Sequence, residues 1–196
     1  MRSLMLCSVL FLISTLNASS AFAATLDVVD GQLMGASNVL VDGNLYDVQF
    51  LGGTCIALYN GCDAVSDFTF QTSAAAGLAS QALLDQVFID GGGGSFDTDP
   101  ALTNGCTNAL HCAVATPYQL QSFNTVAVIS TAQNNAIPGD ADFTDTGIAV
   151  PRVLLATVLP TESFAAWTPV PEPSTALLLG LGLTGLAGKG RRRNRS

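Results

Sequence analysis

NVLVDGNLYDVQFL, residues 38–51, decides the reading of the fold. Two runs rich in Val, Leu and aromatics flank Asp42-Gly43, a dipeptide suited to a tight hairpin turn because Gly accepts positive φ, so residues 38–51 are expected to form a β-hairpin. Asp30-Gly31 repeats the turn signal upstream, and FTFQT at 68–72 has the composition of another short strand. The period then changes. From Ser73, the expected N-cap, AAAGLASQALLDQVF places Leu83, Leu84, Val87 and Phe88 on one stripe with Ala76 and Ser80, which predicts an amphipathic helix over about 74–89. DGGGGSFDTDPALTNGC, 90–106, reads as a loop. Strand composition returns at NTVAVIS (124–130), RVLLATV (152–158) and SFAAWTP (163–169). Strands without regular helix alternation, interrupted by one helix, predict an α+β domain with a mainly antiparallel β-sheet. No internal repeat of 20–50 residues is present.

The chain has 196 residues, 48% of them apolar and 11% charged, which excludes a disordered polyampholyte. The stretch 24–169 is one ordinary domain, long enough to bury roughly 68–70% of its unfolded surface. Within it Arg152 is the lone cation against thirteen Asp and Glu162, a net charge of −13. Such a field repels a phosphate backbone, so nucleic acid is excluded as a partner.

The two ends of the chain differ from this body. Residues 1–23, MRSLMLCSVLFLISTLNASSAFA, have a cation at Arg2, an apolar run from Leu4 to Leu16 and small residues ending Ala21-Phe22-Ala23. That order predicts a cleavable signal peptide, cut after Ala23 and handled by the secretory translocon and signal peptidase. At the other end come Val170, Pro171, Glu172, Pro173 and Ser174 (motif 170–175), an apolar segment 176–188 and a basic tail 189–196 with Lys189, Arg191, Arg192, Arg193 and Arg195. The prolines predict an extended, accessible stalk. The apolar segment would make a helix of about 20 Å, shorter than the roughly 30 Å hydrocarbon core, and the basic tail should stay cytoplasmic, holding the acidic body outside.

The ending 170–196 resembles the PEP-CTERM sorting domain of Gram-negative bacteria that make exopolysaccharide. The resemblance implies recognition of the Pro-Glu-Pro triplet by an exosortase-type membrane protease that cuts near it and passes the protein outward, so that the transmembrane helix is a temporary anchor. Gly180, Gly182, Gly185 and Gly188 soften that helix without forming a Gly-x-x-x-Gly seam. The body, through GQLMGASNVLVDGNLYDVQF (31–50), Cys55, Cys62 and ASQALLDQVF (79–88), is similar to other secreted proteins with this tail, a likeness that implies an address and no catalytic activity.

Cys7 falls in the signal peptide, leaving Cys55, Cys62, Cys106 and Cys112. An even number in an exported protein predicts disulfides; three connectivities are open, and spacing favours Cys55 with Cys62 and Cys106 with Cys112. Zinc, with His111 as a further ligand, is the rival, although neither spacing is Cys-x-x-Cys. No cofactor and no catalytic residue are expected: His111 is the only histidine and no Gly-x-Ser-x-Gly elbow accompanies it. Gly91 to Gly94 lack the Lys and Ser or Thr of a phosphate cradle. Asp97, Asp99, Asp140, Asp142 and Asp145 are the candidate calcium ligands, on loops that Asp's own turn chemistry also explains. Tyr46, Tyr59, Tyr118 and Trp167 are the aromatic candidates for glycan stacking. The sequence therefore leads to a non-enzymatic exported surface or extracellular-matrix protein sorted by an exosortase-type system and associated with exopolysaccharide. The alternatives are a glycan- or calcium-binding adhesin-like module and, third, a secreted hydrolase using paired carboxylates.

Overall fold

The computed structural model describes residues 23–121, 126–153 and 162–171. Seven strands form the main sheet: β1 (Thr25–Val29), β2 (Gln32–Val41), β3 (Asn44–Leu51), β6 (His111–Gln121), β7 (Val126–Asn135), β8 (Phe143–Pro151) and β9 (Glu162–Pro169). Two two-residue strands, β4 (Asp90–Gly91) and β5 (Gly94–Ser95), make a separate small hairpin. The order across the sheet is β1-β2-β3-β9-β6-β7-β8. Every pairing is antiparallel except that of β9 with β6. The sheet is thus mostly antiparallel and, with one long helix, the fold is α+β. The signal peptide, and the apolar segment and basic tail, lie outside the described residues.

Both expected turns form. Asp30 and Gly31 take φ of 52° and 82°, and Asp42 and Gly43 take 48° and 80°, the consecutive positive values of the hairpin turn that matches strand twist. β2 carries a bulge between Ala36 and Val39, where Asn38 sits at φ 60° and its N–H donates to Asp47 Oδ1 at 3.0 Å. Gly35 is required next to it, because a Cβ there would lie 2.1 Å from the Val48 carbonyl oxygen.

Two layers cover the sheet. On one face lies α2 (Ser73–Gln86), which buries Ala76, Ala79, Ser80, Ala82 and Leu83. Its small residues allow a close approach: Ser80 Oγ is 2.8 Å from Ser130 Oγ of β7, and Gly77 lies against Thr146 of β8. Leu33, Val39, Phe50, Phe88, Phe96, Val114 and Trp167 complete this core. On the other face, a single helical turn, α1 (Cys55–Leu58), and the chain to Phe68 cover Ala115, Ala127, Ile129 and Phe164. β9 serves both, turning Phe164 to one core and Ala165 and Trp167 to the other.

Several expectations shift. The helix begins at Ser73 and ends at Gln86, and its N-cap is Thr72, whose Oγ1 accepts from Ala75 N, rather than Ser73. FTFQT is not a strand: Phe68 enters the second core while Phe70 enters the first, so the segment passes from one face to the other instead of pairing. The 90–106 loop contains the β4–β5 hairpin and a short 3-10 turn, Pro100–Leu102. Arg152 and Val153 form a turn, and the rest of the expected strand 152–158 lies outside the described residues.

Candidate functional site

The carboxyl end of the body is built into the middle of the sheet. Along β9, Trp167 pairs with Val48, Thr168 with Asp47 and Pro169 with Tyr46. Proline is tolerated there because it ends the strand. Trp167 is buried; its Nε1 donates to Thr116 Oγ1 at 3.1 Å, and its ring meets Phe70 edge-on at 5.5 Å and Tyr46 at 6.3 Å. Val170 then donates its N–H to the Leu45 carbonyl at 2.9 Å and is half-buried, whereas Pro171 is exposed. Glu172, Pro173 and Ser174 lie outside the described residues.

The other candidates divide. The structure joins Cys55 to Cys62 and Cys106 to Cys112, the pairs that loop length favours, and all four sulfurs are in the interior. His111 opens β6, half-buried, next to Cys112. Among the aromatics, Tyr59 is buried with its hydroxyl donating to the Ala165 carbonyl at 2.9 Å, Tyr118 and Trp167 are buried, and Tyr46 is half-buried against Phe70. Tyr59, Tyr118 and Trp167 are core and closed to a stacking sugar, and Tyr46 is packed in part against that core.

The acidic loops converge in part. Asp90 accepts from the backbone N–H of Asp97 and Thr98 and from the Thr98 hydroxyl, at 2.9, 3.2 and 2.8 Å. The Thr98 hydroxyl above all holds its carboxyl below the ordinary range. Asp142 accepts from Asn135 N at 2.7 Å. Asp97 lies close enough to Asp142 and Asp90 that burial first, and then their negative charges, push its carboxyl upward. Asp97 and Asp142, distant in sequence, thus meet, and Asp90, which was not a sequence candidate, completes the group. Asp99 stands apart as the residue before Pro100, Asp140 is exposed, and Asp145 is exposed on β8 opposite Thr131. Among the described residues no group of three His, Cys, Asp or Glu side chains is arranged to hold a metal ion, and no helix is long and apolar enough to cross a membrane. Arg152, the body's lone cation, donates to the Gly61 carbonyl and lies near Asp67, tying α1 and its disulfide loop to the end of β8.

Residues 169–193 match the family model of the PEP-CTERM protein-sorting motif. The chain carries a PEP-CTERM sorting motif. The match begins at Pro169, so the motif's first residue is also the last residue of β9. The match ends with the arginines at 191–193, and the body from 24 to 168 is outside it. No curated protein and no solved structure is significantly similar to the chain. A PEP-CTERM motif suggests a protein exported and processed by an exosortase-type system.

Proposed function

We propose that this protein is a non-enzymatic exported component of the cell surface or extracellular matrix, released from a transient membrane anchor by cleavage near Glu172. One observation carries the reading: the PEP-CTERM motif begins at the end of the last described strand, with Pro171 already exposed. The amino-terminal segment 1–23 serves as the signal peptide, and the two disulfides suit a chain that folds in an oxidising compartment. The acidic body, with Tyr59, Tyr118 and Trp167 committed to the core, favours a soluble matrix component over a sugar-stacking adhesin. Association with exopolysaccharide then rests on the company this sorting system keeps, and its partners are the exosortase-type protease, the translocon and signal peptidase.

The test is replacement of Pro171, Glu172 and Pro173 together by Ala in the producing cell. The variant should accumulate at full precursor mass in the membrane fraction, whereas the parent is shortened and found outside it. Normal shortening and release of the triple variant would contradict the proposal.

A further inference from the structure

The sorting motif is tethered too closely to the body for the body to take any orientation. Pro169 is paired in the sheet and Val170 is bonded to Leu45, so the chain is fixed as far as Val170. Only five residues, Pro171 to Thr175, separate it from the apolar segment that starts at Ala176. Extended in the proline-rich form, at about 3.1 Å per residue, they reach about 16 Å.

The sheet topology says which end is held. Glu162 is level with Ala113, His111 pairs with Asn135, and Phe143 pairs with Gln133, so β9, β6 and β8 begin, and β7 finishes, at one end of the sheet. Asp142, just before β8, accepts from Asn135 at that end, and Asp97 lies close to both Asp142 and Asp90. The eight residues of β9 then carry the chain roughly 26 Å along the strand to the opposite end. There lie the Asp42-Gly43 turn, Leu45 and, through the pairing of Pro151 with Val126, the Arg152-Val153 turn.

We infer that in the membrane-held precursor the Asp42–Leu45 end of the sheet faces the lipid surface and the end bearing Asp90, Asp97 and Asp142 points away from it. This rests on the sorting reading above. Exposed apolar side chains do not choose between the ends, since Leu40 and Val153 lie at one and Leu110, Ile137 and Phe143 at the other. The short tether does. Exposed carboxylates stand at both ends, Asp42 at the held one and Asp140 at the other, so charge, like the apolar side chains, leaves the choice to the tether.

The chain from Ala24 to Ser196, as it stands once the signal peptide is off, with either Asn44→Cys or Ala141→Cys, both exposed positions, would carry a fluorophore on its one free thiol. It is reconstituted in phosphatidylethanolamine–phosphatidylglycerol vesicles containing a quencher-bearing lipid. The label at 44 should dim by roughly threefold or more, and that at 141 by no more than about a tenth, since about 26 Å of strand lies between the two ends. Inserting twenty Gly and Ser residues after Val170, a coil of about 25 Å, should erase the difference. Equal quenching at 44 and 141 in the parent chain overturns the inference. So does a difference that arises only when the sorting protease is added, which would make a protein the partner of this end. Flotation separates the two readings: a chain that does not float with the vesicles refutes the membrane anchor itself, whereas one that floats with equal quenching refutes only the orientation.

Discussion

Replacing Trp167 with Phe tests whether β9 is locked into the sheet by its indole as well as by its backbone. The ring is 7% exposed, and its Nε1 donates to Thr116 Oγ1, on a residue 1% exposed. Phenylalanine keeps an aromatic face toward Phe70 and Tyr46 but deletes the donor. Depriving a buried hydroxyl of its partner costs about 1–3 kcal/mol, and the smaller ring adds a packing loss, so about 2–3 kcal/mol is expected in all. For a body of this length that is a fall in Tm of about 5–10 °C. Urea unfolding of the oxidised protein, followed by far-ultraviolet circular dichroism, reads it without relying on the lost indole. Thr116→Val in the Trp167→Phe background should recover about 1 kcal/mol, because the orphaned hydroxyl is then gone. A single variant within about 0.5 kcal/mol of the parent, or two substitutions whose effects simply add, would refute the reasoning.

Three further outcomes follow from named contacts. Converting both Cys106 and Cys112 to Ala should cost about 2.4 kcal/mol by loop entropy, and the Cys55 and Cys62 pair about 2.5 kcal/mol, read as the loss in urea midpoint times slope; unchanged midpoints would show that the short loops are held without them. Asp97 has a raised carboxyl pKa, so the native state holds a proton that the unfolded chain has lost. Its contribution is present at low pH and disappears as pH rises through the raised value, whereas the lowered carboxyls of Asp90 and Asp67 contribute above the ordinary carboxylate range and lose it on acidification. Asp97→Asn should therefore raise Tm at neutral pH and flatten the fall that sets in as pH rises above the ordinary carboxylate range, and a parallel shift at all pH values would argue against titration of Asp97. Gly35→Ala places a methyl 2.1 Å from the Val48 carbonyl oxygen and should cost more than about 3 kcal/mol, against about 1–2 kcal/mol for Gly43→Ala, whose φ of 80° is strained but whose surroundings are open; equal Tm values for the two variants would count against the packing argument.

What the sequence made legible was local. The β2–β3 hairpin could be read because Asp42-Gly43 enforces its turn chemistry, and α2 because its small and aliphatic residues keep one stripe. β6 was missed. HCAVATPYQLQ is buried on both faces from Cys112 to Tyr118, which removes alternation, and it contains Pro117, which the sheet accommodates at the register shift between Pro117 and Gln119. β8 was read in part as an acidic loop because Asp145 and Gly147 lie in it; Gly147, at φ 89°, falls where the pairing with β7 slips. The meeting of Asp97 with Asp142 has no sequence signal at all, since it depends on where β7 ends and where the segment after β5 crosses it. The sorting motif was readable for the opposite reason: its order of prolines, apolar run and arginines acts without any fold to assemble it.

The position of β9 links these two kinds of information. It is the last described strand in the chain yet lies fourth of seven in the sheet, between β3 and the parallel β6. Until it inserts, Phe164 is missing from one core and Ala165 and Trp167 from the other, and the edges of β3 and β6 have no partner between them. On the sorting reading, the body cannot close its sheet until residue 169 has cleared the membrane, and non-local closure of this kind is slow and costly in loop entropy. Once it does close, Val170 is clamped to Leu45 and Pro171 is left exposed at the boundary, so completing the fold also presents the start of the motif. A body so arranged would offer its cleavage segment to the protease when folded, and a variant that weakens β9, such as Trp167→Phe, should slow processing as well as lower Tm.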